Sequence, residues 1–148
     1  MSRSDTIRCV LRSKGAELFV VSPSATVYDA LAMMADKGVG ALLVFDRDRL
    51  AGIVSERDYA RKVILQGRSS KDTTVAEIMN DHVITVAPSH TVDECMKLMT
   101  ERRVRHLPVL GENDSIMGLV SLGDLVKYVI TSQREEIEAL HAYIASGA

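Results

Sequence analysis

The chain has no tryptophan, and phenylalanine and tyrosine bring the aromatic share to only 4% of its 148 residues. A core built from such a composition is aliphatic. With two cysteines, Cys9 and Cys95, far apart and outside any CxxC or Cys/His cluster, neither a disulfide framework nor a zinc site is suggested. Both are expected to be buried thiols, small hydrophobes in effect. The four histidines, at positions 82, 90, 106 and 141, show no ligand spacing on a common helix face, so no metal is expected. A net charge of -2 offers no general attraction to nucleic acid or anionic membranes. No apolar run reaches the length of a membrane span, and the opening MSRSDTIRC lacks the apolar segment of a secretory signal. A cytoplasmic protein without membrane or nucleic-acid partners is the expectation.

What the chain does have is one pattern written twice. The segment from Val21, VSPSATVYDALAMMADKGVGALLVFDRDRLAGIVSERDYARKV, overlays that from Val86, VAPSHTVDECMKLMTERRVRHLPVLGENDSIMGLVSLGDLVKYV, with one inserted residue. Pro23 pairs with Pro88, Thr26 with Thr91, Met34 with Met99, Val44 with Val109, Gly52 with Gly118, Ser55 with Ser121 and Asp58 with Asp124. Each copy predicts a short strand, at 19–21 and at 83–86, then a helix opened by Thr26 or Thr91 with Asp29 or Glu94 three residues on, the spacing of a capping box. Val27, Ala30, Leu31 and Met34, matched by Val92, Cys95, Met96 and Met99, form one apolar stripe facing the core. Two short apolar strands follow, ALLVF and GIV in the first copy, LPVL and GLV in the second, and then a second helix from Ser55 or Ser121. Gly38-Val-Gly40 precedes a strand instead of opening a helix, so it reads as a turn and not as a dinucleotide loop.

The fold class expected is therefore α/β (α+β), two β-α-β-β-α repeats, each too small to bury its apolar face alone. The boundaries are 17–67 for the first repeat, 79–132 for the second and 133–148 for a C-terminal helical extension. A polar linker, GRSSKDTT at 67–74, a helical turn at 75–79 and a short helix at 6–13 complete the plan. A long helix is expected over 122–144, with Val126, Val129, Ile130, Ile137, Leu140 and Ile144 as its apolar positions and an outer half that packs on a partner. Tyr59, Val63, Leu125 and Tyr128 exceed what one small pair can bury, which points to a homodimer.

The duplicated Ser-x-x-Asp, in GIVSERD and GLVSLGD, admits two readings. It is the spacing of a helix capping box. It also puts a carboxylate at a strand-to-helix corner, where it can accept both hydrogen bonds of a ribose diol.

With SPxxTV, GALLV, RHLPV, GIVSERD and GLVSLGD in paired order over nearly its whole length, the chain resembles the tandem CBS domain pair, or Bateman module, of the stand-alone bacterial kind. The resemblance implies a pseudo-two-fold pair of repeats that binds an adenosine compound (AMP, ADP, ATP, S-adenosylmethionine or NAD) in two clefts, forms disc-shaped homodimers and signals to a target protein. Carried over residue by residue, it implies one site of Ile53, Ser55, Arg57 and Asp58 facing Val83, Ile84, Arg105, His106 and Pro108. It implies a second of Leu119, Ser121, Gly123 and Asp124 facing Leu18, Phe19, Gly40 and Ala41. Apolar strand residues such as Ile53 and Val83 suit an adenine face, and Arg offers a fork of donors to phosphate. Only the first site receives Arg105 and His106, so the two are expected to differ. No nucleophile with a base, no metal set and no phosphate loop is legible, so the chain is expected not to be an enzyme. A ligand-free scaffold or nucleic-acid-binding module is the alternative, resting on the basic run at 102–106.

Overall fold

The computed structural model describes residues 5–15 and 17–147. Its contacts divide the chain into two units: Leu18–Ile84 forms one, and the described residues before it join Thr85 onward in the other.

In the Leu18–Ile84 unit, β1 (Val20–Val21) runs parallel to β2 (Ala41–Asp46), which pairs antiparallel with β3 (Arg49–Ser55). The β2–β3 hairpin turns on Arg47 and Asp48, both at positive φ (50° and 63°), the conformation that matches a two-residue turn to strand twist. Helix α2 (Val27–Lys37) begins at Thr26, whose side chain accepts from the Asp29 amide, and ends at Gly38 in the left-handed region. The reciprocal half of the expected Thr26–Asp29 capping box is not formed. Val27, Ala30 and Met34 of α2 pack with Leu42 and Val44 of β2, Val54 of β3 and Val63 in an aliphatic core.

The expected polar linker is folded onto this unit. Val27 N–H donates to the Thr73 carbonyl (2.8 Å), Val75 N–H to Ala25 (2.8 Å) and Ala76 N–H to Pro23 (3.0 Å). Thr73 is 2% exposed and donates its hydroxyl to the Ser69 carbonyl. The short helix α4 (Val75–Ile78) then buries Val75 and Ile78, and Asn80 exchanges both backbone bonds with Ile53 on the free edge of β3. Gly52 is required there, because a Cβ would stand 2.7 Å from the Asn80 carbonyl.

The other unit repeats this plan with its first piece supplied by the start of the chain. Helix α1 (Ile7–Lys14) binds the entry of α5 (Val92–Arg102) as α4 binds that of α2: Val92 N–H donates to Asp5, Ile7 N–H to His90 and Arg8 N–H to Pro88. Strands β4 (His106–Leu110) and β5 (Ile116–Ser121) form an antiparallel pair with Val109 opposite Gly118, where a Cβ would meet the Leu11 side chain at 2.6 Å. The strand expected at 83–86 is absent. Only Val86 bonds, as an isolated bridge to Val109, because Asn80 is committed to Ile53 and the residues between have no ladder partner.

Helix α3 (Glu56–Tyr59) passes into a π-helical turn at Ala60–Ile64, and the chain reverses at Gly67 (φ 67°). Its counterpart α6 (Leu122–Ser146) meets no Gly or Pro after its first turn and runs for 25 residues. Of the four residues expected to require a dimer mate, Val63 and Leu125 are already buried. Tyr128 donates its hydroxyl to Asp5 (2.6 Å), a bond that together with burial pushes its pKa up. Large exposed apolar residues lie instead along α6 and at Ile64 and Leu65, where the π turn ends.

Candidate functional site

Each copy folds its Ser-x-x-Asp into the same corner. Ser55 and Ser121, the last residues of β3 and β5, are extended and serve as N-caps of α3 and α6. In the first corner the Asp58 amide donates to Ser55 Oγ (3.2 Å), while Asp58 Oδ2 accepts from the Ser55 amide (2.9 Å) and hydroxyl (2.9 Å). In the second, the Asp124 amide donates to Ser121 Oγ (3.0 Å) and Asp124 Oδ2 accepts from the Ser121 amide (2.8 Å). Both are complete capping boxes. Capping uses Oδ2 in each case, and Oδ1 of Asp58 has Lys62 Nζ at 3.4 Å.

The counter-cations differ. Asp58 is faced by Lys62, one turn along its own segment. Asp124 is held by Lys14 of α1, whose Nζ donates to Oδ2 (2.7 Å) and to the Leu119 carbonyl (2.7 Å). Burial alone would raise the Asp124 pKa, but Lys14 and the Ser121 bonds reverse this and hold it below the usual carboxylate value. Neither lysine was singled out from the sequence. Lys62 was readable as the i+4 neighbour of Asp58; Lys14 comes from a distant segment and carried no local signal.

Within each unit, one more position stands beside its own corner. Gly40 accepts from the Glu56 amide (3.0 Å), and Arg105 accepts, through its carbonyl, from the equivalent Leu122 amide (2.8 Å). Ala41 pairs with Ser55 across the first hairpin and His106 with Ser121 across the second. The basic pair Arg105 and His106 therefore lies at the corner of its own copy, in a cleft of about 710 Å³ that Ser121, Gly123, Lys127 and Arg134 also line. That volume suits a small molecule. None of the described residues lining the cleft carries a carboxylate, and Val126 and Ile130 give it an apolar face.

The remaining candidates fall on the flanks. Ile53 is a half-buried residue of β3 bonded to Asn80, Arg57 is exposed on the first turn of α3, and Leu119 is half-buried on β5. Leu18 and Phe19 precede β1, with Lys37 Nζ 5.6 Å from the Phe19 ring centroid. Val83 and Ile84 are half-buried outside any strand, while Ala41 and Pro108 are buried in β2 and β4. Of the two cysteines expected to be buried, Cys9 is only half-buried on α1; Cys95 is fully buried, and burial followed by the neighbouring Glu94 charge pushes its thiol up to about 11, as an inert core residue requires. Among the described residues no group of His, Cys, Asp and Glu is arranged to hold a metal, and no helix is long and apolar enough to cross a membrane.

Twin sheet-and-helix units, each with a capped carboxylate at a strand-to-helix corner, define a duplicated α/β module. The family model described as CBS domain matches it twice, at residues 11–64 and 75–131, and the chain belongs to the CBS domain family as a tandem pair. It is 45% identical over 153 residues to the CBS domain-containing protein CBSX3, mitochondrial, of Arabidopsis thaliana, covering 97% of this chain and 74% of that one. A solved structure of a protein with CBS domains from Burkholderia ambifaria is 55% identical with a TM-score of 0.82, over 86% of this chain and 96% of that one. A hexameric CBS-CP12 protein from bloom-forming cyanobacteria is 26% identical with a TM-score of 0.74, over 93% and 82% of the two chains.

Proposed function

We propose that this chain is a regulatory module that binds an adenosine-containing nucleotide (AMP, ADP, ATP or NAD) at its Ser-x-x-Asp corners and passes their occupancy to a partner protein. CBS domain proteins are commonly regulatory ligand-binding modules, and no enzymatic family is seen among the relatives. The observation that carries the reading is the second corner. A carboxylate held by its own cap and by Lys14 stands beside a cleft lined by Arg105, His106, Lys127 and Arg134. A ribose diol is matched by the carboxylate and a phosphate by the guanidinium and the amides at the start of α6. Within its own unit the first corner has Gly40 where the second has Arg105, so the two corners should differ in their hold on phosphate.

Binding to the folded state stabilises it by RT ln(1 + [L]/Kd), about 2.7 kcal/mol at a hundredfold excess over Kd. Adenine nucleotides or NAD should therefore raise the melting temperature, and GMP much less. Equal shifts with every nucleotide, or no shift with any, would reject adenine recognition.

A further inference from the structure

From residue 133 onward every described residue of α6 is exposed, yet the sequence there is not evenly polar. Val126, Ile130, Gln133, Ile137, Leu140 and Ile144 follow one another at alternating spacings of four and three. That is a heptad seam, with Ile130, Ile137 and Ile144 at the a positions and Val126, Gln133 and Leu140 at d. The apolar members are 40% (Val126), 45% (Ile130), 54% (Ile137), 56% (Leu140) and 60% (Ile144) exposed, so no described part of the chain covers the stripe.

We infer that a second copy of this chain covers it, the two α6 helices pairing in parallel and in register as a short two-stranded coiled coil. β-branched residues at a with Leu at d favour two parallel strands, and here Ile fills every a position while Leu140 fills one d position beside Val126 and Gln133. Charge selects the same arrangement. The e positions carry Lys127, Arg134 and His141, and the charged g position carries Glu136. An antiparallel pair would set the basic e positions of one helix against those of the other. A parallel pair sets Glu136 of one copy against His141 of the second. It also sets the two Gln133 amides opposite each other, where each can satisfy the other, whereas a slip of one heptad would leave each against Val126 or Leu140 without a partner. The seam is shorter than an isolated coiled coil needs, so the folded units must hold the helices in place. Val126 and Ile130 also line the cleft beside Arg105, so a second copy laid on the seam would wall its open side. The inference does not depend on what that cleft binds.

The test uses the full chain. Under mild oxidation Ile144→Cys should be recovered mainly as a disulfide-linked dimer, because two copies of position 144 meet only in the parallel register. Ala142→Cys, at the outward f position, should stay at the wild-type background. Ile137→Asp should weaken association by about tenfold or more, about 1.4 kcal/mol, by sedimentation across the micromolar range, with helix content and melting of the units unchanged. Cross-linking at both positions or at neither, a monomeric wild type, or an Ile137→Asp variant that associates like wild type would overturn the pairing, the first by showing an unspecific contact.

Discussion

The two corners share a sequence pattern and a cap, and differ in almost everything around it. Asp58 sits beside Gly40, answers to a lysine of its own segment, and opens a helix that becomes a π turn and stops at Gly67. Asp124 sits beside Arg105, answers to Lys14 of a different segment, and opens a helix of 25 residues. A capping box is local and survives duplication with little help, whereas the cations around it come from whatever packs nearby. Divergence has therefore spared the geometry of the corner and changed the charge around it.

The largest expected effect tests the equivalence of the copies. Gly52→Ala would press a Cβ onto the Asn80 backbone carbonyl at 2.7 Å, while Gly118→Ala meets the end of the Leu11 side chain, which can rotate where a backbone carbonyl cannot. Overpacking should cost about 2–3 kcal/mol at Gly52 and about 1 kcal/mol at Gly118, read as denaturant midpoints. Equal costs would mean that the α1 and α4 segments are held alike.

Next in size is the charge difference. Arg105→Ala should weaken binding of AMP by about 1.5–3 kcal/mol, the value of a charge-assisted bond, and leave adenosine unchanged. Equal losses for AMP and adenosine in calorimetry would show that Arg105 acts through folding.

Smaller is the cost of the acid itself in the empty protein. The folded pKa of Asp124 lies below its unfolded value of about 3.9, so its contribution is complete above about pH 4 and is lost as pH falls through the folded pKa. Asp124→Asn should cost about 1 kcal/mol at neutral pH, the Lys14 pair being discounted for its exposure, and the gap from wild type should close in acid. A gap independent of pH would mean that the side chain contributes by shape alone. The smallest effect has the opposite sign. Arg103 holds at φ 55° the position that Gly38 holds in the first copy. Arg103→Gly should stabilise by up to about 1 kcal/mol, the relief of a left-handed side chain offset by chain entropy, measured by the same midpoints.

The repeats, the hairpins, the caps at Ser55, Thr91 and Ser121 and the long α6 were all legible, because each depends on periodicity or on a spacing of a few residues. What escaped the sequence was long-range. Thr6-Ile7 and Thr74-Val75 play the same part before α5 and α2, with Val10 matching Ile78 and Leu11 matching Met79. That third repeated piece precedes the copy it does not join, so 67–74 read as a tether while its Ser70 and Thr73 carbonyls serve the start of α2. The strand at 83–86 failed for a related reason: its apolar residues have β propensity, but a ladder needs a partner, and only Val86 has one. At the candidate site the carboxylates were readable, and Lys127, three residues after its aspartate, carried the same local signal as Lys62; Lys14 and Arg134 were not readable, because nothing local ties them to the motif.

The most direct measurement of the central claim is a calorimetric titration of AMP, with GMP as control, into the wild type and into the Asp58→Asn, Asp124→Asn double variant, each shown to be folded by its melting transition. The expected result is AMP binding to the wild type in preference to GMP, weakened in the double variant by about 1.5–3 kcal/mol or more. AMP affinity unchanged in the double variant, or equal affinity for AMP and GMP, would contradict it and leave the duplicated Ser-x-x-Asp as two helix caps.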